Sequence, residues 1–325
     1  MASIRIASGY GHRCTSTNDN NNNEKKNIRY HQSMLSRQDD SHHGCLEWFG
    51  SITCHARHCG PCQLILTGRN EARLERVAKE CRQATAAVEA AEAAIVKTIA
   101  ADLANPEEVQ RQADNVLRET VHVLIHSAGV SSRDNFVDTC LEVDRQVLQI
   151  NFWAGVALAK ALVPSMIMAH DNNDNNNSKN NKQKKNGMIL WISGIQGLVG
   201  VPQRTSNVAS KFAIQGYCES VRGELASSGV TVHTVSPGYM NTNLSQSAIR
   251  GNGMMYGQVD NTTATGACPD EVAIEILNKV AKGKLDFTVA AGFSATLAIY
   301  LRLLRPPLLR ALLVKRFEKG KSNKT

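Results

Sequence analysis

The sequence lacks any uninterrupted apolar run of the roughly 18 residues that a membrane-spanning helix needs. Its amino-terminal stretch, MASIRIASGYGHRC, also lacks the continuous apolar core of a signal peptide. These two absences predict a chain that no spanning helix anchors. For such a chain a cytoplasmic location is expected.

Acidic residues are fewer than basic ones, 29 against 37, so the formal net charge is +8. Much of this excess lies in polar low-complexity stretches and in the C-terminal tail, which argues against a nucleic-acid partner. A phosphate-bearing small molecule or a membrane surface accounts for the charge equally well.

Two segments contain too little apolar surface to fold. Residues 1–43 are predicted to be a disordered polar N-terminus, and residues 171–186, DNNDNNNSKNNKQKKN, a disordered insert. The insert immediately precedes the predicted strand 187–193 and so connects to the amino end of that strand. It should therefore lie away from a ligand site at the carboxyl ends of strands.

Between these segments, short apolar runs alternate with stretches of helical periodicity. The predicted strands are residues 62–68, 121–129, 187–193 and 230–238, and the predicted helices are residues 71–84, 143–167 and 208–227. This alternation predicts one α/β domain over residues 63–292 with a doubly wound parallel sheet. Ligands of such a sheet bind at the carboxyl ends of its strands.

The segment 44–62 is rich in cysteine and histidine and contains the spacing C-x-x-C in HCGPC. A thiol–disulfide site would need that motif at the start of a helix, whereas here it leads into a predicted strand. A zinc site would need a second spaced pair of ligands. We therefore predict no metal. The zinc and redox alternatives would require bound metal or reactive thiols in residues 45–62.

Downstream motifs, above all NVASK and SPGYMNT, resemble the short-chain dehydrogenase/reductase family over residues 63–292. The resemblance implies a Rossmann-type fold and hydride transfer between a carbonyl and an alcohol. The family's loop T-G-x-x-x-G-[IL]-G is absent, and DSHHGCLEWFGSITCH, residues 40–55, stands in its place. Read one nucleotide later, permitted codons for that segment encode I-V-I-T-G-A-S-S-G-L-G-R-S-L-A-M.

The codons of Trp48 and Phe49 force the central glycine of that shifted string. The last loop glycine of the string falls at position 50, and its spacing to Arg69 agrees with the roughly 20 residues expected between the loop and the ribose contact. Our hypothesis is that residues 44–62 are a frame-shifted cofactor loop and that the first strand is damaged or missing. The alternative is chance degeneracy over a divergent N-terminus.

The cofactor that the resemblance implies is NADP(H). Arg69 follows its strand in LTGRN, where no acidic residue is present to bind a free ribose 2′-hydroxyl, so a 2′-phosphate is the better match. The other contacts implied are Asp102, Leu103, Ala128, Gly129, Asn151, Lys211, Pro237, Gly238 and Thr242. The alternative for Arg69 is a solvated arginine at a helix start.

The family's catalytic residues are Asn, Ser, Tyr and Lys. Asn151 and Lys211 match, but Asn207 occupies the tyrosine position and Gly194 the serine position. Ser193 should point to the other face of its strand. An amide cannot act as the general acid, so this chain is either an impaired enzyme or a non-catalytic dinucleotide-binding or interaction protein. Taken singly, Asn151 could be a helix-bend amide and Lys211 a surface lysine.

The C-terminal half resembles the dehydrogenase/reductase member 7B-like branch of this family. That resemblance implies a lipid-like ketone or alcohol as substrate, a role in lipid metabolism, and the endoplasmic reticulum or peroxisomal membrane surface as location. A homodimer is a further expectation. Residues 293–325 are predicted to form basic amphipathic helices, with Leu308, Leu309, Leu312 and Leu313 on one face. A membrane surface, a partner subunit or the substrate pocket could cover that face.

Overall fold

The structure, a computed structural model, describes residues 2–8, 62–86, 95–174 and 187–322 of the chain. Its strands are β1 (Ala2–Ser8), β2 (Cys62–Gly68), β3 (Ile95–Ala100), β4 (Val123–His126), β5 (Ser132–Arg133), β6 (Gly187–Ile192), β7 (Val230–Pro237), β8 (Ile249–Arg250) and β9 (Asp286–Val289). Its α-helices are α1 (Glu71–Ala86), α2 (Pro106–Leu117), α3 (Leu141–Leu148), α4 (Ala154–Asp174), α5 (Thr205–Glu224), α6 (Asn261–Ala264), α7 (Pro269–Ala281), α8 (Phe293–Leu304) and α9 (Pro306–Ser322).

Seven strands form one sheet in the order β3-β2-β1-β4-β6-β7-β9. Every pair that does not involve β1 is parallel, and helices connect the parallel strands. This is the doubly wound α/β fold predicted from the alternating pattern. The short strands β5 and β8 form a separate parallel ladder beside it.

Residues 2–8 are ordered as β1 in the centre of the sheet, so the prediction of disorder is wrong for them. Isoleucines alternate with small or polar residues in ASIRIAS, a pattern that suits a strand, and both neighbouring edges supply hydrogen-bond partners. The strand is antiparallel to both neighbours. Ala2 lies beside Gly68 and Ser8 beside Cys62, so the chain leaves β1 at the amino-end edge of its parallel neighbours.

Side chains alternate between the two faces of the sheet, and each set enters a separate core. Leu64 and Leu66 pack with α1 and α7, whereas Ile65, between them, packs with α4 and α5. In β6, Leu190 belongs to the same core as Leu64 and Leu66, and Trp191 belongs to the same core as Ile65. Because both faces are covered, the central strands β2, β4 and β6 are mainly apolar, whereas β7 also buries the polar residues His233, Thr234 and Ser236.

One continuous helical segment, Leu141–Asp174, comprises α3, a π-helical turn and α4. Its part Leu141–Met168 is long and apolar enough to cross a membrane. An 18-residue window within it has a mean hydropathy of 1.4, but 56% of that window is buried within the protein. We interpret it as a core helix. The helix continues to Asp174, so the predicted disorder is wrong for residues 171–174, because extending a nucleated helix adds one hydrogen bond per residue. Residues 175–186 lie outside the described residues.

An ion cluster holds the loops at the carboxyl ends of the strands. The Asp260 carboxylate accepts hydrogen bonds from the Arg133 Nε and Nη2 atoms at 2.9 and 2.6 Å, and from the Arg204 Nη2 atom at 2.9 Å. Burial alone would raise the pKa of Asp260, but the two guanidinium groups outweigh it and lower that pKa. The cluster connects β5, the start of α5 and the start of α6.

Gly155 and Gly216 provide a matched test of core packing, because both are helical glycines. A Cβ atom at Gly155 would lie 2.5 Å from the Trp191 ring, whereas one at Gly216 would meet nothing within 4 Å. We expect Gly155→Ala to lower the free energy of unfolding by about 1 to 3 kcal/mol, because the buried ring cannot move freely. Gly216→Ala should raise it by about 0.5 to 1 kcal/mol. Urea titration measures both, and equal stability of the two variants would contradict this packing.

Removing the charge of Asp260 should destabilise the protein, because it leaves two largely buried arginines without their acceptor. We expect Asp260→Asn to lower the free energy of unfolding by about 2 to 3 kcal/mol at pH 7. The pKa of Asp260 is lowered by folding, so its contribution is complete above the unfolded pKa of about 3.9 and is lost as the pH falls through the folded pKa.

The matched control is Glu80→Gln on the exposed side of α1, which should change stability by less than about 0.5 kcal/mol. Urea unfolding of both variants at pH 7 and pH 3 makes the comparison. A loss for Asp260→Asn that is as large at pH 3 as at pH 7 would show that the charge is not responsible.

Candidate active site

The parallel strands bring the predicted site residues to one edge of the sheet. Arg69 follows β2, Asp102 follows β3 by one residue, Gly129 lies in the loop after β4, Gly194 lies just after β6, and Gly238 follows β7. The carboxyl ends of parallel strands share an edge, so these five positions line the same side of the domain.

Asn151 lies on the π-helical turn Gln149–Trp153. This turn widens the helix locally and leaves the backbone oxygen of Asn151 available to the ring of His126, whose Nε2 atom is 3.3 Å away. Inserted π turns of this kind are frequent at functional sites. The buried side chain of Asn151 is thereby presented to the loop after β4 and to α5.

The amide of Asn151 joins these segments by hydrogen bonds. Its Oδ1 atom accepts from the Val130 backbone N at 2.7 Å, and its Nδ2 atom donates to the Val130 backbone O at 3.0 Å. The same Nδ2 atom lies 2.8 Å from the Ser210 Oγ atom and 3.2 Å from the Asn207 Oδ1 atom. A helix-bend amide alone would not require these partners, so Asn151 is the centre of a buried polar network.

Asn207 adjoins Asn151, in the relation that the family's tyrosine and asparagine positions predict. It is only 5% exposed, and its Nδ2 atom donates to the Gln196 Oε1 atom at 2.7 Å. Both ends of the Asn207 amide are therefore satisfied. The second N–H of its amide nitrogen can still donate a hydrogen bond to a ligand, but an amide cannot deliver a proton.

Sequence reasoning missed Gln196 and Ser210. The sequence signal for Gln196 is its place two residues after Gly194, on a 3₁₀ turn that begins where β6 ends. The signal for Ser210 is its position immediately before Lys211, three residues after Asn207 on the same helix. Both signals become informative only once the fold brings Asn151 to these positions.

Lys211 is half-buried, and its Nζ atom donates to the Ile192 backbone O at 2.9 Å. A Cβ atom built at Gly129 would lie 3.5 Å from that Nζ atom and 3.5 Å from the Asn151 Oδ1 atom. Gly129, Asn151 and Lys211 therefore converge at one point beside β4 and β6. This location is not that of an ordinary surface lysine.

Gly194 has φ +151° and ψ +166°, a conformation in which glycine is almost the only residue found. A Cβ atom there would meet only the Pro237 backbone O, at 3.8 Å, so space is available for a serine but the backbone is unsuitable. The loss of the family's serine thus coincides with a local backbone conformation that a serine would strain.

Ser193 does not replace that missing hydroxyl. Its Oγ atom donates to the Lys211 backbone O at 3.2 Å and accepts from the Gln215 Nε2 atom at 3.2 Å. Neither contact involves Asn207, and Ser193 belongs to the side of the strand that packs under α5. The Ser193 hydroxyl therefore lies against the backbone of Lys211 and the side chain of Gln215.

Tyr217 also fails to supply the missing acid. Its ring packs edge-on against Phe152 and Trp191, with centroids 5.6 and 5.8 Å apart. Burial raises the pKa of Tyr217 above its ordinary value. A phenol held in this aromatic cluster belongs to the core rather than to the edge where Asn207 lies.

Arg69 is exposed and directly follows β2. Beside Arg69, the Ala101 backbone N donates to the Gly68 backbone O at 3.0 Å, and this hydrogen bond joins the ends of β2 and β3. Asp102 is half-buried, and its Oδ1 atom accepts from the Ala104 backbone N at 3.1 Å. Arg69 and Asp102 thus flank the ends of neighbouring strands.

Leu103 and Ala128 are buried together in one apolar cluster. Their side chains are therefore core, and only their backbones could approach a cofactor. Gly238 is required for packing, since a Cβ atom there would lie 2.0 Å from the Ala290 backbone O. Pro237 ends β7, and Thr242 is half-buried in the loop that follows.

Residues at two places fit parts of a nicotinamide dinucleotide. Arg69 and Asp102 suit an adenosine end with a ribose phosphate, and Asn151 and Lys211 suit the nicotinamide ribose beside Gly129. In the described part of the chain no glycine-rich turn for the pyrophosphate follows β1, because that strand exits at the opposite edge.

Residues 44–61, which include most of the cysteine cluster, lie outside the described residues. Cys62 is the first residue of β2, so the C-x-x-C motif does run into a strand. The frame-shift hypothesis and the zinc and redox alternatives are therefore untested by the geometry.

Comparison with known proteins agrees with this architecture. The sequence profile of the family described as short chain dehydrogenase matches residues 44–252. The chain is 37% identical to dehydrogenase/reductase SDR family member 7B of Danio rerio over 278 residues, covering 85% of this chain and 84% of that protein. It is 34% identical over 275 residues to a family protein 7-like of Drosophila melanogaster, covering 84% and 78%.

Solved structures show the same fold at low identity. A short-chain dehydrogenase from Sphingobium yanoikuyae in complex with NADPH aligns with a TM-score of 0.59 and 19% identity, covering 79% of this chain and 91% of that one. A metagenomic short-chain oxidoreductase in complex with NADP aligns with a TM-score of 0.54 and 21% identity, covering 74% and 91%. Together with the ordered series of site positions, these matches show that the chain belongs to the short-chain dehydrogenase/reductase family of oxidoreductases.

Proposed function

We propose that this chain descends from NADP-dependent enzymes that interconvert a lipid-like ketone and its alcohol, and that it keeps their site without their proton donor. The observation that carries the proposal is the meeting of Asn151, Asn207 and Lys211 beside Gly129. When bound, a nicotinamide cofactor supplies the hydride for a carbonyl carbon. The residues of the chain position the two reactants.

Preference for NADP over NAD rests on Arg69. It is exposed at the end of β2, and the segment LTGRN offers no carboxylate that would bind a free 2′-hydroxyl and repel a 2′-phosphate. A guanidinium group can bind that phosphate through two parallel hydrogen bonds.

The catalytically impaired alternative rests on Asn207 and Gly194. The amide at 207 does not titrate, and loss of a positioned general acid lowers the rate about 10²- to 10⁴-fold, or about 3 to 5 kcal/mol of barrier. Lys211 keeps its ammonium group at the Ile192 carbonyl, where the family's lysine would assist a phenol that this chain does not have. A dinucleotide-binding protein without turnover would have this site.

The lipid-like substrate, the endoplasmic reticulum or peroxisomal membrane location and a homodimer are proposals that rest on the resemblance to the 7B-like branch. We likewise propose that residues 44–62 are a frame-shifted reading of the glycine-rich loop. Sequencing of the transcript across codons 35–64 tests this. Reads that confirm the present frame, without a splice variant, would contradict it.

Binding of NADPH tests the cofactor proposal. The chain as it stands should bind NADPH weakly or not at all, since its sequence lacks the glycine-rich loop whose backbone N–H groups would bind a pyrophosphate. A loop-restored chain, with residues 40–55 replaced by the shifted string, should bind it measurably by fluorescence titration. In that chain, Arg69→Ala should weaken NADPH binding about 10- to 100-fold.

NADH is the matched control ligand, because it lacks the 2′-phosphate. Its affinity for the loop-restored chain should be nearly the same with and without Arg69→Ala. An equal loss for both cofactors would show that Arg69 stabilises the protein or binds a shared group, and NADP preference would then need another cause.

Ketone reduction separates the two candidate functions. The loop-restored chain should bind NADPH but reduce little ketone, because no group at 207 delivers a proton. Adding Asn207→Tyr and Gly194→Ser should raise kcat at least about 10²-fold. If the loop-restored chain with Asn207 already turns over as fast, water or another side chain supplies the proton and the assignment of positions is wrong.

The backbone at Gly194 affects this test. Both Gly194→Ser and Gly194→Ala should lower the free energy of unfolding by about 1 to 3 kcal/mol, because each places a Cβ atom in a conformation reserved for glycine. Gly194→Ala is therefore the matched control: it carries the strain without the hydroxyl. Activity that appears with serine and not with alanine belongs to the hydroxyl.

A further inference from the structure

Helix α8 presents its apolar face outward. Phe293, Leu297, Tyr300 and Leu304 follow one another at spacings of four, three and four residues, so they form one stripe along the helix. Their exposed fractions range from 43% to 84%. A stripe of this kind on a surface helix normally faces the core.

The opposite face of α8 carries the polar contact with the protein. The Arg302 Nη1 atom donates to the Leu198 backbone O at 3.0 Å, and the guanidinium group lies 4.5 Å from the centroid of the Phe212 ring. The helix is thus held with its arginine against the domain and its apolar stripe toward the outside.

Helix α9 adds a second outward surface. Leu309 is buried, whereas Leu308 and Leu312 are about half exposed and share a side of the helix with Lys315 and Arg316. Of the four leucines that the sequence places on one helical face, Leu309 is buried and Leu313 half-buried, whereas Leu308 and Leu312 are exposed. Packing against the domain divides these leucines between an inward and an outward side.

The charge of this C-terminal hairpin, α8 and α9, is strongly one-sided. Residues 293–318 contain five arginines and lysines and a single acidic residue, Glu318. Arg305, Arg310, Lys315 and Arg316 are all exposed. Apolar stripes bordered by free cations match the anionic headgroups and acyl chains of a lipid bilayer.

The hairpin also lies at the edge of the sheet where the site is. Three residues separate the end of β9 from the start of helix α8, and Arg302 near the other end of α8 contacts the loop that follows β6. Further exposed apolar side chains belong to loops at this same edge: Phe136, Val137, Met254 and Met255. A hydrogen bond of 2.9 Å from the Cys140 N to the Gly251 O joins those two loops.

We propose that the C-terminal hairpin docks this protein on an anionic bilayer with the carboxyl-end edge of the sheet toward the lipid, so that a lipid-like ketone enters the site from the membrane. The part that concerns substrate entry rests on the proposed function. The docking itself rests on the exposed stripe and the charge of the hairpin alone.

Sedimentation of the full chain with lipid vesicles tests the docking. Vesicles of phosphatidylcholine with about a third phosphatidylserine should pull the protein down, and those of phosphatidylcholine alone should do so far less. Higher salt should weaken the binding. The double variant Leu297→Ser, Leu304→Ser should lose at least about tenfold in affinity. Each of Arg310→Gln and Lys315→Gln should cost about fivefold.

The matched control is Ile95→Ser, Leu117→Ser. Both residues are exposed and apolar, but they lie at the amino end of β3 and the end of α2, away from the hairpin. This variant should sediment like the parent chain, and thermal melting should show that both double variants are folded. An equal loss in the two variants, or no binding to anionic vesicles at all, would overturn the docking proposal.

Light scattering in solution distinguishes the main alternative occupant. A dimer that Leu297→Ser, Leu304→Ser dissociates, together with no vesicle binding, would assign the stripe to a second copy and overturn the proposal. In lipid-free buffer, NADPH binding by the loop-restored chain, and ketone reduction once Asn207→Tyr and Gly194→Ser are added, report on the proposed function separately. Vesicle binding without NADPH binding or reduction in these chains refutes the function alone, and NADPH binding and reduction without vesicle binding refute the docking alone.

Discussion

The buried amide of Asn151 holds together the segments from which the site is built. Through one side chain it joins the loop after β4 at Val130 to helix α5 at Asn207 and Ser210. A buried amide left without partners costs about 1 to 3 kcal/mol, so each partner is constrained by the others. The π turn exists at the point where this side chain must reach between the two elements.

This constraint explains how the fold accommodates an asparagine at position 207, where the family resemblance implies a tyrosine. An asparagine at 207 offers an oxygen to Asn151 and a donor to Gln196, so the network stays satisfied although its chemistry is changed. Gly194 shows the complementary effect, because removal of a side chain has allowed a backbone conformation that serine would strain. A serine at position 194 would therefore affect the backbone as well as add a hydroxyl group.

The shared edge of the sheet concentrates every other functional feature. Of the implied cofactor contacts, Arg69, Asp102, Gly129 and Gly238 follow the carboxyl ends of β2, β3, β4 and β7. The ion cluster of Arg133, Arg204 and Asp260 joins β5 to the starts of α5 and α6. The exception is β1, whose direction carries the chain to the opposite edge. A phosphate-binding turn cannot directly follow such a strand at the site, which agrees with the absence of the family's glycine-rich loop from the sequence.

The sequence by itself determined the alternation of strands and helices and the spacing of the four positions at which the family resemblance implies catalytic residues. Both follow from local patterns: apolar runs give β2, β6 and β7 nearly to the residue, and motif spacing places Asn207 four residues before Lys211. Only the tertiary structure decided that residues 2–8 enter the sheet, that Gly194 has a positive φ, and that Arg133 and Asp260 form an ion pair. It also decided which leucines of α9 face outward. The physical reason is that pairing partners, backbone strain and burial depend on residues far apart in the chain, and no local pattern carries that information.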